Sequence, residues 1–529
     1  MGRLLKVPSV FTLILFMSCF LSYKAEPGRS KLTHGPILST SSDCSRMHIF
    51  CRVVNENEGT ENPSSFRIAY RRTDGGKWQY TEPYRTKAEN DFTAIAGFPV
   101  EASQKYQYQV VSPDKKILLS KPFAFISLPQ KEGEFVLYHG ADSHGQNNEW
   151  PVNLLRHYQE SFSGLPVAVL YAGDIFEIGA KDFEPDFLGS LRKKYKTLYS
   201  TPAIAELFSQ IPLFQMWDDW DFAGDNSCNG YSASRGFIKI DRSVPLKARR
   251  EYVPNPASFE SHETAVFFVT IANNLIVVAD SRSKKAPLAR QEGGSCQNLL
   301  DGSQSKDEAP CWGRAQLEDI KQVFLSHKNK TYKNFLVSTQ SFVDNLRPLA
   351  FPCDGHLMGE RDSFGVFHKD ERNDLLRFLQ AEGIEVIVLS GDDHKPKITY
   401  RDFWHEPYHV KKEPIIAKDI TIGLFEFKAG NGGSTTRIFD SNDFPPYWWA
   451  GCADEYTEKR PARGYGNLVR KDVDFCFHII NDGQRKQCRV QAVLLEDEAG
   501  LCKVGVAEGT GLRKAPCVVY EDDFSSAKR

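Results

Sequence analysis

No two cysteines in this chain stand in a CxxC spacing, although there are 12 of them in 529 residues. That leaves zinc-ribbon and thioredoxin-like readings with little support. Excess charge is also missing. The formal net charge is -2 at pH 7 and the pI is near 6.7, which argues against nucleic acid as the main partner. Beyond the N-terminus no run is long and apolar enough to cross a bilayer, and no internal repeat is found. What remains is an ordinary globular composition, 41% hydrophobic and 25% charged, long enough for roughly two to four domains.

The N-terminus reads as an export signal over residues 1–25. Arg3 and Lys6 supply the positive start, and Val10 to Leu21 an apolar core too short for a comfortable span. Leu15-Phe16-Met17-Ser18-Cys19 is similar to a relaxed lipobox. Two readings stand: Cys19 carries lipid and attaches the chain to a membrane, or an ordinary signal is cut a few residues later. Both place the protein as secreted, periplasmic or on an outer surface. In that setting the other cysteines suggest disulfides, with sequence neighbours as the expected pairs: Cys44–Cys51, Cys296–Cys311, Cys476–Cys488 and Cys502–Cys517. The odd total leaves one thiol over, and Cys228 is the one to watch.

Residues 30–130 show short β-rich runs such as Met47 to Val53 and Phe66 to Tyr70, broken by turn signals like Asp74-Gly75-Gly76. This predicts a small all-β sandwich of immunoglobulin or fibronectin type. From residue 133 the character changes. Phe135 to His139 and Leu165 to Tyr171 are buried-type strands flanking a helical stretch from Trp150 to Phe162. The pattern returns at Phe267 to Asp280, Asn334 to Thr339 and Val386 to Ser390, giving α/β construction over residues 133–445. Residues 446–529 read as a β-rich, cysteine-containing extension with an antiparallel meander.

In such sheets ligands sit beyond the carboxyl ends of the strands, and here those ends are acidic. They read Asp142-Ser143-His144, Gly173-Asp174, Asp280-Ser281-Arg282 and Gly391-Asp392-Asp393-His394. Between them, Met216 runs into Trp217-Asp218-Asp219-Trp220-Asp221-Phe222-Ala223-Gly224-Asp225-Asn226. One acidic strand end is often only a helix cap. Several, two of them with a nearby His, suggest clustered ligands, since repelling carboxylates need a cation. Asp142 and His144, one residue apart on extended chain, point the same way, and Asp174 is suited to bridge two ions. Mixed imidazole and carboxylate suits iron, zinc or manganese, and the carboxylate part also tolerates calcium. Two such ions activate a bound water and clamp both oxygens of a phosphoryl transfer. Arg282 offers a forked donor to a phosphate oxygen.

The order Asp-x-His, Gly-Asp, an Asp/Asn-rich block and Gly-x-x-His resembles the calcineurin-like metallophosphoesterases. The Trp217–Asn226 block, Asp280-Ser281-Arg282 and Ser390-Gly391-Asp392-Asp393-His394 look more closely like the alkaline phosphatase D (PhoD-like) family, over roughly residues 34 to 440. The resemblance implies a metallophosphatase-type β-sandwich flanked by helices, of α/β (α+β) class, behind the small all-β domain. It implies Asp142, His144, Asp174 and His394 at one metal, and Asp174, Asp219 and Asp392 at the other. Asn226, Asp225 and Gln340 would be neighbours or ligands.

Three positions depart from the family. Glu177 stands where many members have Tyr, Asp142-x-His144 where several have Cys, and Trp220 where a His is expected. Trp cannot serve as an acid. Either another group replaces the His, with His139, Asp221 and His262 as candidates, or the chain prefers good leaving groups, or its activity is weak; Arg282, Asp221 and Asn226 form the candidate catalytic set. The implied function is a secreted or surface-anchored binuclear phosphatase using a metal-activated hydroxide on small-molecule or lipid phosphoesters. Two alternatives stand beside it. One is a non-enzymatic surface binding protein on a degenerate metallophosphatase scaffold. The other is a secreted phospholipase-type diesterase using Tyr447-Trp448-Trp449 and Phe403-Trp404.

Overall fold

The computed structural model describes residues 30–57, 59–143, 149–183, 185–224, 227–229, 231–232, 238–256, 264–286, 288–290, 296–298, 311–340, 342, 369–391, 397–402, 423–428, 473–494, 501–506, 509–514 and 517–523. The signal, Cys19, the aromatic segments Phe403-Trp404 and Tyr447 to Trp449, and His262 lie outside them.

The chain opens with β1 (Ser30–Thr40), β2 (Arg46–Asn57), β3 (Thr60–Pro63), β4 (Ser65–Arg72), β5 (Thr93–Pro99), β6 (Lys105–Val111) and β7 (Phe123–Ile126). One sheet holds β1, β2, β3 and β5. The other is built on β4, β6 and β7, with two-residue strands at Gln79–Tyr80 and Tyr84–Arg85. Ile49, Cys51, Val53, Phe66, Ile68, Phe98 and Tyr108 fill the space between them.

The rest is built on two mixed six-stranded sheets. In the first, β8 (Gly133–Gly140), β9 (Val167–Ala172) and β10 (Leu213–Met216) run parallel. An antiparallel β17 (Val473–Asn481) then pairs with β8, followed by β18 (Lys486–Leu494) and β19 (Cys517–Asp523). The C-terminal meander is therefore part of this sheet, and a boundary at residue 445 does not set it apart. In the second sheet, β11 (Phe267–Ile271) and β12 (Asn274–Val278) form a hairpin. Strands β13 (Asn334–Ser338), β14 (Ile387–Ser390) and β16 (Gly423–Lys428) run parallel to β12, and β15 (Lys397–Asp402) pairs antiparallel with β16. The apolar stretch from Phe267 to Asp280 thus holds two strands. Ala272 and Asn273, both at positive φ (48° and 58°), make the tight turn that a twisted hairpin favours.

Alternate residues explain the layering. Phe135, Leu137, Ala168, Leu170, Phe214 and Met216 meet Phe267, Ile276, Val278, Phe335, Val337 and Leu389 in one core between the sheets. The intervening Val136, Tyr138, Val169 and Tyr171 face α1 (Glu149–Ser161), α2 (Phe187–Ser200) and α3 (Pro202–Phe208). On the far side Leu336 and Val388 meet α6 (Arg314–His327) and α7 (Lys369–Glu382). Two further helices, α4 (Asp219–Phe222) and α5 (Ser243–Tyr252), follow β10. Strands buried on both faces account for the unbroken apolar runs. This is the expected β-sandwich flanked by helices. Among the described residues no helix is long and apolar enough to cross a membrane.

The same alternation overturns two expected disulfides. Cys44 and Cys51 are buried thiols in different cores, Cys44 with the two large sheets and Cys51 between the N-terminal ones. Cys476 faces the helices while Cys488 faces the inter-sheet core, so neighbouring strands hold them on opposite faces. Cys311 places its sulfur 3.6 Å from Gln340 Oε1. The side chains of Cys296, Cys502 and Cys517 lie outside the described residues.

Candidate metal centre

Parallel pairing with Gly140 opposite Tyr171 and Ala172 opposite Met216 brings three carboxyl ends side by side. The segments that follow must therefore share one rim. Asp142 donates its backbone N–H to the Gly173 carbonyl at 3.1 Å. Asp142 and Asp174 both sit in the left-handed region (φ 60° and 58°), a conformation costly for residues other than Gly, Asn and Asp, which ends each strand in a sharp turn. Gly173 (φ 98°) allows the third strand end to close in. A Cβ there would lie 2.8 Å from the Asp218 nitrogen and nearer still to its Cβ.

The second sheet reaches the same rim. Gly391 lies so close to Ala141 and Ala172 that an added Cβ would be 2.7 Å from the Ala141 Cβ and from the Ala172 carbonyl. His139 is fully buried with Nε2 3.0 Å from the Ser390 carbonyl. Thr339 donates its hydroxyl to Asp218 Oδ1 at 2.8 Å. Asp392 and His394, which follow Gly391, lie outside the described residues, as do His144, Asp225 and Asn226 of the other blocks.

At the rim, Asp174, Asp218 and Asp219 each present an oxygen, all within 4.8 Å of one another and buried. Burial first, then repulsion from Asp219, Asp218, Asp142 and Asp221, pushes the Asp174 carboxyl well above the usual range. Asp174 Oδ1 accepts the Trp220 backbone N–H at 3.2 Å, while its buried Oδ2 has no hydrogen-bond partner among the described residues. Buried polar atoms are rarely left so. Asp219 Oδ1 accepts the Trp220 N–H at 2.7 Å, and Ser227 donates to the Asp219 carbonyl at 2.7 Å. Oxygen-rich, over-charged and carrying an orphaned acceptor, the donor set fits a hard or borderline cation.

Two candidate catalytic residues stand elsewhere than expected. Arg282 is fully buried, and its fork closes on Asp218: Nε to Oδ1 at 2.5 Å and Nη2 to Oδ2 at 2.7 Å. The guanidinium neutralises one carboxylate of the cluster, and the fork expected to hold a phosphate is spent on Asp218. Asp221 is 1% exposed and caps α4, its Oδ1 accepting the Asp218 backbone N–H at 2.6 Å. Burial raises its pKa to about 7, against that hydrogen bond, which lowers it. Glu177 is half-buried.

Sequence reasoning singled out Asp219 and passed over Asp218, its neighbour in the same Trp-Asp-Asp run. It also took Asp280 only as another acidic strand end. Asp280 is a scaffold: its oxygens accept Trp217 Nε1 (2.9 Å), the Ala265 N–H (2.7 Å), the Arg282 N–H (3.0 Å) and the Ser283 hydroxyl (2.6 Å). A signal existed in the Asp-Ser-Arg-Ser run, since an Asp two residues before an N–H commonly caps its own turn.

No family model and no curated protein matches the chain. Among solved structures, one described as the structure of PhoD superposes with a TM-score of 0.61 at 13% identity, covering 92% of this chain and 90% of its own. The purple acid phosphatase PPD1 from yellow lupin (Lupinus luteus) seeds gives a TM-score of 0.52 at 11% identity, covering 90% of this chain and 74% of its own. At such identities the likeness establishes the fold, that of these phosphatases.

Proposed function

We propose that the chain is a metal-dependent phosphoesterase of the alkaline phosphatase D-like kind, acting on phosphomonoesters, phosphodiesters or both. The observation that carries this is the buried Asp174–Asp218–Asp219 group at converging strand ends, with Asp174 Oδ2 lacking a partner among the described residues, in a phosphatase fold. Asp174, Asp142 and Asp219 would hold the ions, of iron, zinc, manganese or calcium. His144, Asp392 and His394 complete the set on the resemblance of their motifs. Bound ions supply the Lewis acidity that lowers the pKa of a coordinated water and offsets charge on phosphoryl oxygens.

The protein's own residues do the rest. Arg282 holds Asp218 in place and removes one negative charge from a site that must receive an anion. Asp221, at about 7, holds a proton near neutrality, yet its buried cap geometry keeps it to a supporting role. With Trp220 in place of the family His, leaving groups that depart without protonation are favoured, because general acid help is worth about 10²–10⁴-fold. Export and attachment through lipidated Cys19 are part of the same proposal, and they give access to extracellular phosphoesters or lipid headgroups.

The test pairs metal analysis of purified protein with hydrolysis of p-nitrophenyl phosphate and bis(p-nitrophenyl) phosphate, for wild type, Asp174→Asn and Trp220→His. Retained metal, turnover lost in Asp174→Asn, and a gain in Trp220→His on poor leaving groups are expected. Protein that holds no metal and cleaves neither ester with any divalent ion refutes the proposal. Trp220 also motivates a second reading, a binding protein on this scaffold, for which Asp174→Asn would leave function intact.

A further inference from the structure

Helix α5 has two working faces. Arg249 turns inward, is 7% exposed, hydrogen-bonds the Gln215 carbonyl and lies 5.3 Å from the Trp217 ring. That face braces the strand leading into the metal centre. The opposite face carries Ser243, Lys247 and Arg250, at i, i+4 and i+7, all exposed. It forms one wall of a cleft of about 670 Å³ against the N-terminal sheets, where Thr93, Ala94 and Ile95 of β5 form the other wall. Clefts of roughly 300–1,000 Å³ are the size that holds small molecules.

The charges in this cleft are unevenly matched. Of its two acids, Glu251 is taken up by a bidentate ion pair with Arg192 (2.8 and 2.7 Å). Asp241 accepts the Ser243 N–H at 2.9 Å at the start of the helix. Arg242, the cation beside them, donates to Asn229 Oδ1 at 3.1 Å. Lys247 and Arg250 remain, three residues apart on one face, with no ion pair or hydrogen bond among the described residues. Like charges at that spacing repel, and both point into a concavity floored by Leu246 and lined by half-buried Ala94 and Ile95. Paired cations beside an apolar floor suit a ligand with a dianionic head and an apolar body.

We infer that this cleft binds a phosphorylated small molecule, with Lys247 and Arg250 holding the phosphoryl oxygens and Ile95, Ala94 and Leu246 covering its apolar part. The site is separate from the metal centre and stands whether or not that centre hydrolyses esters. Nucleic acid fits the enclosed volume and the net charge of -2 poorly.

Phenylphosphonate is a suitable probe, having a dianionic head, a ring and no hydrolysable ester. Calorimetric titration is run on the full chain as wild type, Lys247→Gln/Arg250→Gln and Asp174→Asn. Both cleft side chains are exposed, so the double variant should keep the wild-type urea midpoint, and Arg250→Glu gives a second variant of opposite charge. Expected is an affinity at least about tenfold weaker in the double variant and weaker again in Arg250→Glu, since charge-assisted hydrogen bonds are the strong ones. Asp174→Asn should retain the binding. Wild-type affinity in both cleft variants overturns the inference, as does binding lost in Asp174→Asn alone, which would locate the anion at the metal centre. Failure of wild type to bind phenylphosphonate overturns it too.

Discussion

Replacing Arg282 with Met keeps most of the side-chain volume and removes only the charge and its fork. Asp218 is then left fully buried with its two shortest hydrogen bonds gone, Nε at 2.5 Å and Nη2 at 2.7 Å, while the neutral donors, the Thr339 hydroxyl at 2.8 Å and the Asp221 backbone N–H of the capping box, remain. Its oxygens lie within 4.8 Å of those of Asp174 and Asp219. At an effective dielectric of 20 each such contact repels by about 3 kcal/mol. Breaking one side of a buried ion pair costs roughly 3–5 kcal/mol in practice. We therefore expect Arg282→Met to lose about 4 kcal/mol of unfolding free energy in urea with a chelator present. Adding Mn²⁺ should recover part of it, because a cation replaces the missing charge. The double variant Arg282→Met/Asp218→Asn should recover at least about 1 kcal/mol relative to the single one, the sign of a coupled pair. A loss below about 1 kcal/mol in chelator, or a double variant no better than the single, would show that the guanidinium does not hold the cluster together.

Three further outcomes follow from the same geometry. Gly173→Ala places a Cβ 2.8 Å from the Asp218 nitrogen at φ 98°. The chain should lose more than about 1 kcal/mol from the backbone conformation alone and bind Mn²⁺ more weakly, read by urea melts and calorimetry. Trp217→Phe removes the 2.9 Å donor to Asp280 and should cost about 2 kcal/mol. A loss under about 0.5 kcal/mol would make that bond incidental. His157, 4% exposed and 2.7 Å from the Tyr138 hydroxyl, has its pKa lowered by burial from 6.5 to about 4. The unfolded chain therefore takes up the proton first, and stability falls as pH drops from 6.5 towards 4, by up to about 1.4 kcal/mol per unit. His157→Gln should flatten that limb of the stability–pH profile, and an unchanged slope would contradict the assignment.

Much of this was written locally in the chain. Unbroken apolar runs such as Phe135 to His139 declared strands buried on both faces, and the acids just beyond them declared a rim of ligands. Both signals are short-range: a strand's period and the residue that ends it sit within a few positions of each other. The family resemblance of the Trp217–Asn226 block added the phosphatase expectation, and the fold agrees with it.

What spacing could not decide was who meets whom across the sheets. Arg282 and Asp218 are 64 positions apart, and nothing local says that the guanidinium neutralises that acid instead of facing a phosphate. Cys476 and Cys488 look like partners until strand pairing sets them on opposite faces. The apolar stretch from Phe267 to Asp280 folds as a hairpin through two positive-φ residues that no hydrophobic pattern marks. The sequence by itself determined the strands, their buried faces and the acids at their ends, because propensity and periodicity are properties of neighbouring residues. Only the tertiary structure decided which of those acids is paired with Arg282, which caps a helix, and which, Asp174, brings an oxygen into the buried cluster with Asp218 and Asp219. Those assignments depend on burial and on contacts between distant strand ends, which exist only once the two sheets have packed.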